Sequence, residues 1–202
     1  MGVSRLEPSD GEDIVASVAD PHRFGPVADR HFSEIYRYIS RRIGTDLAED
    51  LGSETFAIAF EARSRYDPSR ADARPWLYGI ATNLIRRHRR SEARKLSAYE
   101  RTRSQLMAPT SDAESVIEHL DHLSKLDQVA AAFANLDPDS RDALYLVAIA
   151  GLSYQETANA LEVPVGTIHS RIARARERIR DLVPLDRQEE ENRPTLPTEG
   201  HR

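Results

Sequence analysis

Two clusters of arginine are the side chains in this sequence best suited to chemistry, and that chemistry is the binding of a polyanion. Between residues 166 and 180 there are five arginines and a single acid, Glu177. The other cluster lies nearer the N-terminus and consists of Arg86, Arg87, Arg89, Arg90, Arg94 and Lys95. A guanidinium group matches phosphates and guanine edges with two hydrogen bonds, so both clusters favour contact with nucleic acid. A GC-rich genome would also enrich arginine over lysine.

Residues suited to enzymatic chemistry do not form a recognisable set. The chain has no cysteine, which excludes a disulfide framework, a thiolate zinc site and a cysteine nucleophile. Its seven histidines are scattered, and neither a phosphate-binding loop nor a nucleophile elbow is present. We therefore expect a protein without enzymatic activity, cofactor or metal.

Composition and charge indicate a soluble, globular chain. It has 202 residues, 40% of them hydrophobic, and a net charge of −5. Without an apolar N-terminal segment or a run of about 18 apolar residues, we expect a cytoplasmic protein that does not insert into membranes. Residues 29–95 nevertheless carry 14 basic and 10 acidic residues, so the basic excess is confined to one part of the chain. That asymmetry favours polyanion contact by this part alone.

The spacing of apolar residues predicts an all-α fold made of two small helical domains. Apolar residues recur every three or four positions, and strand signals are nearly absent. In the first domain we expect helices over 29–43, 47–65 and 73–94, with a loop at 66–70. The full division predicts a disordered lead-in over 1–26, a three-helix bundle over 27–95 and a flexible linker over 96–125. A helix-turn-helix domain over 126–183 and an acidic, proline-containing tail over 184–202 follow.

The second domain contains the pattern of a helix-turn-helix. Ser153 and Glu156 form a capping box that begins one helix, and Pro164 forces a break before the next. On that next helix four apolar residues form a buried stripe: Ile168, Ile172, Ala175 and Ile179. A polar outer face with basic flanks suits entry into the major groove. The alternative is a helical hairpin whose arginines are only a solvated face.

The residues of this segment resemble region 4 of the extracytoplasmic-function group of sigma-70 family sigma factors. The resemblance rests on residues 151–156, 163–168, 170–171 and 174–176. It implies a module that binds the promoter −35 element and packs on the β flap of RNA polymerase. The DNA contacts that it implies are Thr167, His169, Ser170, Arg171 and Arg174. Two positions differ from the family: Glu162 replaces a turn glycine, and His169 stands where lysine or arginine is common.

An acidic face on the second predicted helix has two interpretations. Asp50, Glu54 and Glu61 are spaced four and seven residues apart, so they line one side of the helix. The face is either solvated or a docking surface for a basic partner. Residues 50–56 are similar to the family's region 2.2, which implies docking on the β′ clamp helices of core polymerase. The chain departs from that pattern at residues 52 and 53.

The third predicted helix is similar to regions 2.3 and 2.4 of the same family, over residues 75–90. The resemblance implies that Asn83 and the 67–74 loop receive a flipped base of the −10 element. It also implies that Arg86, Arg87 and Arg90 bind the adjacent DNA. The single aromatic residue here, Trp76, is expected in the core rather than stacked on a base.

Together these resemblances predict a sigma factor that recruits core polymerase to −10 and −35 elements. Its expected partners are core RNA polymerase, promoter DNA and an anti-sigma factor clasped between the two domains. The alternatives are a stand-alone helix-turn-helix regulator, with residues 29–95 as a sensing or dimerising module, and an adaptor whose arginines bind an acidic protein.

Overall fold

The structure, a computed structural model, describes residues 8–106 and 131–182. Over these residues it is helical without strands, which confirms the predicted all-α class. Short 3₁₀ turns lie at Pro21–Phe24 and Arg63–Arg65. The α-helices are α1 (Asp10–Ala16), α2 (Gly25–Ile43), α3 (Ala48–Ala62), α4 (Arg74–Leu106), α5 (Pro138–Ala148), α6 (Tyr154–Leu161) and α7 (Val165–Leu182).

The helix ends follow the local chemistry of the chain. Gly44 ends α2 with a φ of 91°, a positive value that glycine adopts without strain. Asp137 caps α5 by accepting a hydrogen bond from the Ser140 amide at 2.9 Å. The Ser153 hydroxyl and the Glu156 carboxylate form the predicted capping box of α6. The prediction of this capping box is confirmed.

The first unit is a bundle of α2, α3 and α4. Ile35 and Ile39 of α2 are buried with Leu77 and Ile85 of α4 in one apolar cluster. The buried Tyr38 hydroxyl is hydrogen-bonded to Thr82 across the α2–α4 interface at 2.7 Å. This packing sets the direction of α4, which carries the basic cluster.

The prediction of a disordered lead-in over residues 1–26 is wrong for the part that the structure describes. A capping box between Ser9 and Glu12 begins α1, and Ile14 is fully buried. The Asp13 carboxylate forms ion pairs with Arg23 at 2.9 Å and with Arg30 at 2.8 Å. Because a helix of seven residues is marginal alone, this tertiary burial is what stabilises it. Residues 1–7 lie outside the described residues.

The predicted end of the third helix is also wrong. It continues to Leu106 instead of ending near 94, and so occupies the first part of the predicted linker. Between 80 and 106 there is neither proline nor glycine, and good helix formers dominate. The remaining linker and the acidic tail lie outside the described residues.

The second unit, α5 to α7, packs directly against the first, whereas the sequence suggests loosely tethered modules. Helix α6 lies against α4 so closely that a Cβ on Gly79 would stand 2.6 Å from the Ala160 carbonyl oxygen. Buried residues of both units form one apolar cluster. In the part of the chain that the structure describes, no helix is long and apolar enough to cross a membrane.

Candidate nucleic-acid interface

Helix α7 separates a buried stripe from a polar outer face, as predicted. Ile168, Ile172 and Ala175 are buried, and Ile179 is partly buried. The opposite face exposes a basic and polar set at the start of the helix, namely His169, Ser170 and Arg174. Thr167 is half-buried, and its carbonyl accepts a hydrogen bond from the Ser170 hydroxyl at 2.9 Å. The His169 ring packs edge-on against Tyr154, 4.6 Å between centroids.

The turn before α7 places Glu162 in the left-handed region, with a φ of 54°. A side chain is strained there and glycine is not, which explains why a turn glycine suits this position. The turn keeps its geometry because the amide of Val163 donates to the Ala158 carbonyl at 3.0 Å.

Arg171 differs from the other predicted −35 contacts because its side chain is turned inward. Only 13% of this side chain is exposed, and its Nη2 donates to Asp139 Oδ2 at 2.5 Å. Both residues belong to the second unit, on α7 and α5. In this conformation Arg171 therefore braces α7 against α5.

The same aspartate also binds the basic cluster of the first unit. Arg86 of α4 donates to Asp139 Oδ1 at 2.8 Å and to Asp142 Oδ2 at 2.5 Å. One carboxylate thus bridges Arg86 and Arg171, a predicted −10 contact and a predicted −35 contact. We call this arrangement, with Asp139, Asp142, Arg86 and Arg42, the interdomain clasp.

A buried ion pair forms the centre of the interdomain clasp. Asp142, whose side chain is 1% exposed, pairs with Arg42, whose side chain is fully buried. The Arg42 guanidinium also donates to the Tyr38 hydroxyl at 2.9 Å and lies over the Tyr145 ring at 4.7 Å. Removing one partner from such a pair leaves an uncompensated buried charge.

Arg74 makes a second link between the units. Its guanidinium donates to Glu34 at 2.7 and 2.9 Å and to the Ala150 carbonyl at 2.6 Å. Burial raises the pKa of the Glu34 carboxyl, but hydrogen bonds from Tyr78 and Arg74 outweigh it and leave the pKa below its ordinary value. Glu34 therefore stays ionised and orients Arg74 toward the second unit.

The other predicted −10 residues lie on the accessible side of α4. Asn83, Arg87 and Arg90 are exposed. Arg87 approaches Glu54 of the acidic face at 3.8 Å, a contact that contributes little between exposed side chains. A cavity of about 430 Å³ separates this side of α4 from α5, with Asn83, Arg86, Arg89, Arg90 and Arg141 in its lining.

The 67–74 loop is shaped by Tyr66, which is buried behind it. The Tyr66 hydroxyl donates to the carbonyls of Arg70 at 2.9 Å and Asp72 at 3.2 Å. Burial, with the nearby Asp10 and Asp72 charges, raises the pKa of Tyr66 to about 12, so the donor stays protonated. The partly buried Trp76 ring packs against the core cluster, with its centroid 4.9 Å from that of Tyr66.

The predicted docking residues share α3, as their spacing requires. Asp50 and Glu61 are exposed, and Glu54 is half-buried beside Arg87. The packing of Phe32 on Phe56, 5.8 Å between ring centroids, turns the other side of α3 into the bundle. The acidic face therefore points away from the core.

Sequence reasoning misses Arg42, Asp139 and Asp142. Asp139 and Asp142 stand in the first turns of α5, where acids are common at any helix start. Arg42 stands in the last turn of α2, where a basic residue is equally ordinary. The partners lie about one hundred positions apart, so local patterns do not reveal their pairing.

Comparison with known proteins identifies the same family for both helical units. The Sigma-70 region 2 model matches residues 27–95, and the Sigma-70 region 4 model matches residues 126–179. The ECF RNA polymerase sigma factor SigE of Mycolicibacterium smegmatis is 33% identical over 191 residues, covering 88% of this chain and 70% of SigE. SigC of Mycobacterium tuberculosis is 35% identical over 147 residues, covering 71% of this chain and 74% of SigC.

A solved structure has a similar fold over most of the chain. It is CnrH, a sigma factor of Cupriavidus metallidurans, in complex with the cytosolic domain of CnrY. The two chains are 26% identical with a TM-score of 0.62, covering 88% of this chain and 98% of CnrH. With both family models matched in order, the chain belongs to the extracytoplasmic-function group of the sigma-70 family of RNA polymerase sigma factors.

Proposed function

We propose that this chain binds core RNA polymerase and directs it to promoters by reading the −10 element with α4 and the −35 element with α7. The observation that carries the proposal is the presence, in one chain and in the family order, of two helices with polar and basic outer faces over buried stripes. Polymerase supplies the chemistry of RNA synthesis, so the chain itself needs no catalytic group. As a partner of polymerase, it works in the cytoplasm.

For the −35 element, the start of α7 supplies the contacts. His169, Ser170 and Arg174 are exposed and able to reach base edges or phosphates, and Thr167 lies beside them. Arg171 completes the set once it leaves Asp139, because a guanidinium reads guanine bidentately.

For the −10 element, Asn83 and the 67–74 loop receive a base, and Arg86, Arg87 and Arg90 neutralise phosphates. An asparagine amide can hydrogen-bond two atoms of a base, and Asn83 is exposed on α4. Each phosphate neutralised steepens the salt dependence of binding by about one unit.

The interdomain clasp competes with DNA for residues of both the −10 set and the −35 set. While Asp139 binds Arg86 and Arg171, neither guanidinium is free for DNA. We therefore propose that the described conformation is a closed state of the free chain and that polymerase binding opens it. The acidic face with Asp50, Glu54 and Glu61 stays accessible in the closed state, so docking on the β′ clamp helices can come first, followed by the β flap.

A protein partner is also proposed. The solved CnrH chain is bound by the cytosolic domain of CnrY, and this chain has the same fold. An anti-sigma factor clasped between the two units would have to open the interdomain clasp, because the units pack directly on each other in this structure.

Run-off transcription tests the sigma-factor function. Core polymerase and a randomised promoter library, with this chain added, are expected to yield transcripts that core polymerase alone does not produce. The recovered promoters should share −10 and −35 motifs. Tight duplex binding by the free chain without any transcript would instead support a stand-alone helix-turn-helix regulator and overturn the proposal.

Replacing Asp50 by arginine should weaken core binding by about tenfold, because like charges meet at a docking surface. Titration of labelled chain with core polymerase measures the affinity. Asp29→Arg is the matched control, since Asp29 is an exposed carboxylate on α2 and its replacement makes the same change in net charge. Equal core affinity for the wild-type chain and Asp50→Arg would remove Asp50 from the docking surface.

A further inference from the structure

Helix α1 lies against the 67–74 loop, although it precedes the segment that matches the region 2 model, residues 27–95. Its Gly11 amide donates to the Ala71 carbonyl at 3.3 Å. Its Asp10 carboxylate accepts from the Ala73 amide at 3.0 Å. The helix thus binds the loop backbone at two points, as a donor at Ala71 and as an acceptor at Ala73.

The approach at Gly11 is too close for any other residue. A Cβ at this position would stand 2.5 Å from the Arg70 carbonyl oxygen, well inside van der Waals contact. The atom in the way is backbone, so a larger residue must displace the loop or the helix rather than turn a side chain aside.

Asp10 is itself held rigidly. Its Oδ2 lies 2.7 Å from His31 Nε2, and its Oδ1 pairs with Arg30 at 2.9 Å. Asp10, His31 and Asp72 place ligand-type atoms within 4.8 Å of one another. The Arg30 charge disfavours a cation there, so this group is better described as a hydrogen-bond network that fixes the loop.

The loop is therefore clamped from two sides. From within the bundle, the Tyr66 hydroxyl donates to the carbonyls of Arg70 and Asp72. From outside it, α1 donates to the Ala71 carbonyl and accepts from the Ala73 amide. Backbone groups bound in this way cannot rearrange without losing buried hydrogen bonds. Ile14, fully buried, anchors α1 in turn.

We propose that α1, through Asp10 and Gly11, positions the 67–74 loop and thereby sets the discrimination among bases at the −10 element. Asp10 and Gly11 are positioning residues that do not touch DNA. The inference rests on the proposed function, because it requires that this loop receives the flipped −10 base. It adds a specificity-determining element outside residues 27–95.

The test uses holoenzyme assembled from core polymerase and the full chain. The probes are fork DNAs with a single-stranded −10 segment, carrying the motif that wild-type holoenzyme recovers from random promoters, or that motif with one base changed. Wild-type holoenzyme should prefer the matched probe by roughly tenfold or more. Gly11→Ala and Asp10→Ala should lower this ratio to about twofold or less, because the displaced loop no longer fits one base. Core affinity should stay within about twofold of wild type, since the acidic face is untouched.

Three controls separate positioning from general stability. Asp10→Asn keeps an oxygen that accepts from the Ala73 amide and should retain most of the discrimination. Val15→Ala changes an exposed residue of α1 and should behave as wild type. Ile39→Val trims a buried core residue outside α1 and the loop, so it lowers the melting temperature without changing the ratio.

The outcomes distinguish this inference from the function on which it rests. Loss of discrimination in Gly11→Ala and Asp10→Ala, with Asp10→Asn and Ile39→Val unaffected, supports it. An unchanged ratio in Gly11→Ala and Asp10→Ala overturns it, as does a loss that follows melting temperature across all variants. Equal loss in Asp10→Asn and Asp10→Ala also overturns the assigned hydrogen bond. If wild-type holoenzyme shows no preference among −10 probes, the proposed function itself fails.

Discussion

Replacing Asp142 by alanine is expected to open the two units of the free chain and to raise its affinity for promoter duplex. The substitution leaves the Arg42 guanidinium buried without its carboxylate and removes one of the two partners of Arg86. Breaking a buried ion pair in this way costs about 3–5 kcal/mol. The open state avoids that cost, because Arg42 then regains contact with water.

The free energy lost with this ion pair decides how much of the chain is open. About 5.5 kcal/mol moves a two-state equilibrium from 1:99 to 99:1, so about 3–5 kcal/mol is enough to make the open state a major species. Small-angle scattering should show a larger radius of gyration. Duplex affinity at fixed salt should rise by about tenfold, since Arg86 leaves its remaining partner Asp139 when the two units separate. Asp29→Ala loses the same charge at an exposed site and controls for net charge.

Gly79→Ala tests the same opening without any change in charge. The new Cβ would stand 2.6 Å from the Ala160 carbonyl oxygen, so α6 must move away from α4. Alanine favours the helix more than glycine, which keeps α4 itself intact. If Asp142→Ala and Gly79→Ala leave both the radius of gyration and the duplex affinity unchanged, the closed state does not restrain DNA binding.

Replacing Arg171 by alanine should remove most of the dependence of transcription on the −35 element. A bidentate contact to guanine contributes about 1–3 kcal/mol of discrimination, which corresponds to a loss of roughly tenfold on a matched promoter. Run-off transcription from promoters with and without a −35 match measures this ratio. Core binding should be unchanged, because Arg171 is not part of the acidic face of α3 and is held by Asp139 of its own unit.

Asp139→Ala separates the two roles that Arg171 could have. If Arg171 only braces α7 against α5 through this carboxylate, both substitutions remove the same contact and should lower −35 dependence equally. If Arg171 reads DNA, Asp139→Ala frees the guanidinium and should keep or increase −35 dependence. Equal losses in the two variants would make Arg171 a structural residue.

Much of the local structure was predictable because it depends on neighbours in the chain. The Ser153–Glu156 capping box, the break at Pro164 and the stripe beginning at Ile168 each involve residues within a few positions of one another. The three predicted residue sets likewise fall on single helices, since their spacing of three or four residues is itself a helical property.

The errors have a different origin. Helix α1 is too short to form from propensity, and Pro8 and Pro21 on either side of it, with Gly11 inside it, indicate a loop. Only the burial of Ile14 and the ion pairs of Asp13 with Arg23 and Arg30 stabilise it. The extension of α4 to Leu106 shows the opposite case, where good helix formers continue past the end of an apolar stripe.

By itself, then, the sequence determined the all-α class, the helix caps, the turn at Glu162 and the two family-like helical faces. Only the tertiary structure decided that Arg42 meets Asp142, that Asp139 joins Arg86 to Arg171, and that α1 clamps the 67–74 loop. The physical reason is that burial removes water from groups brought together from distant parts of the chain. Whether such charged groups are paired or solvated depends on packing, and no local pattern records it.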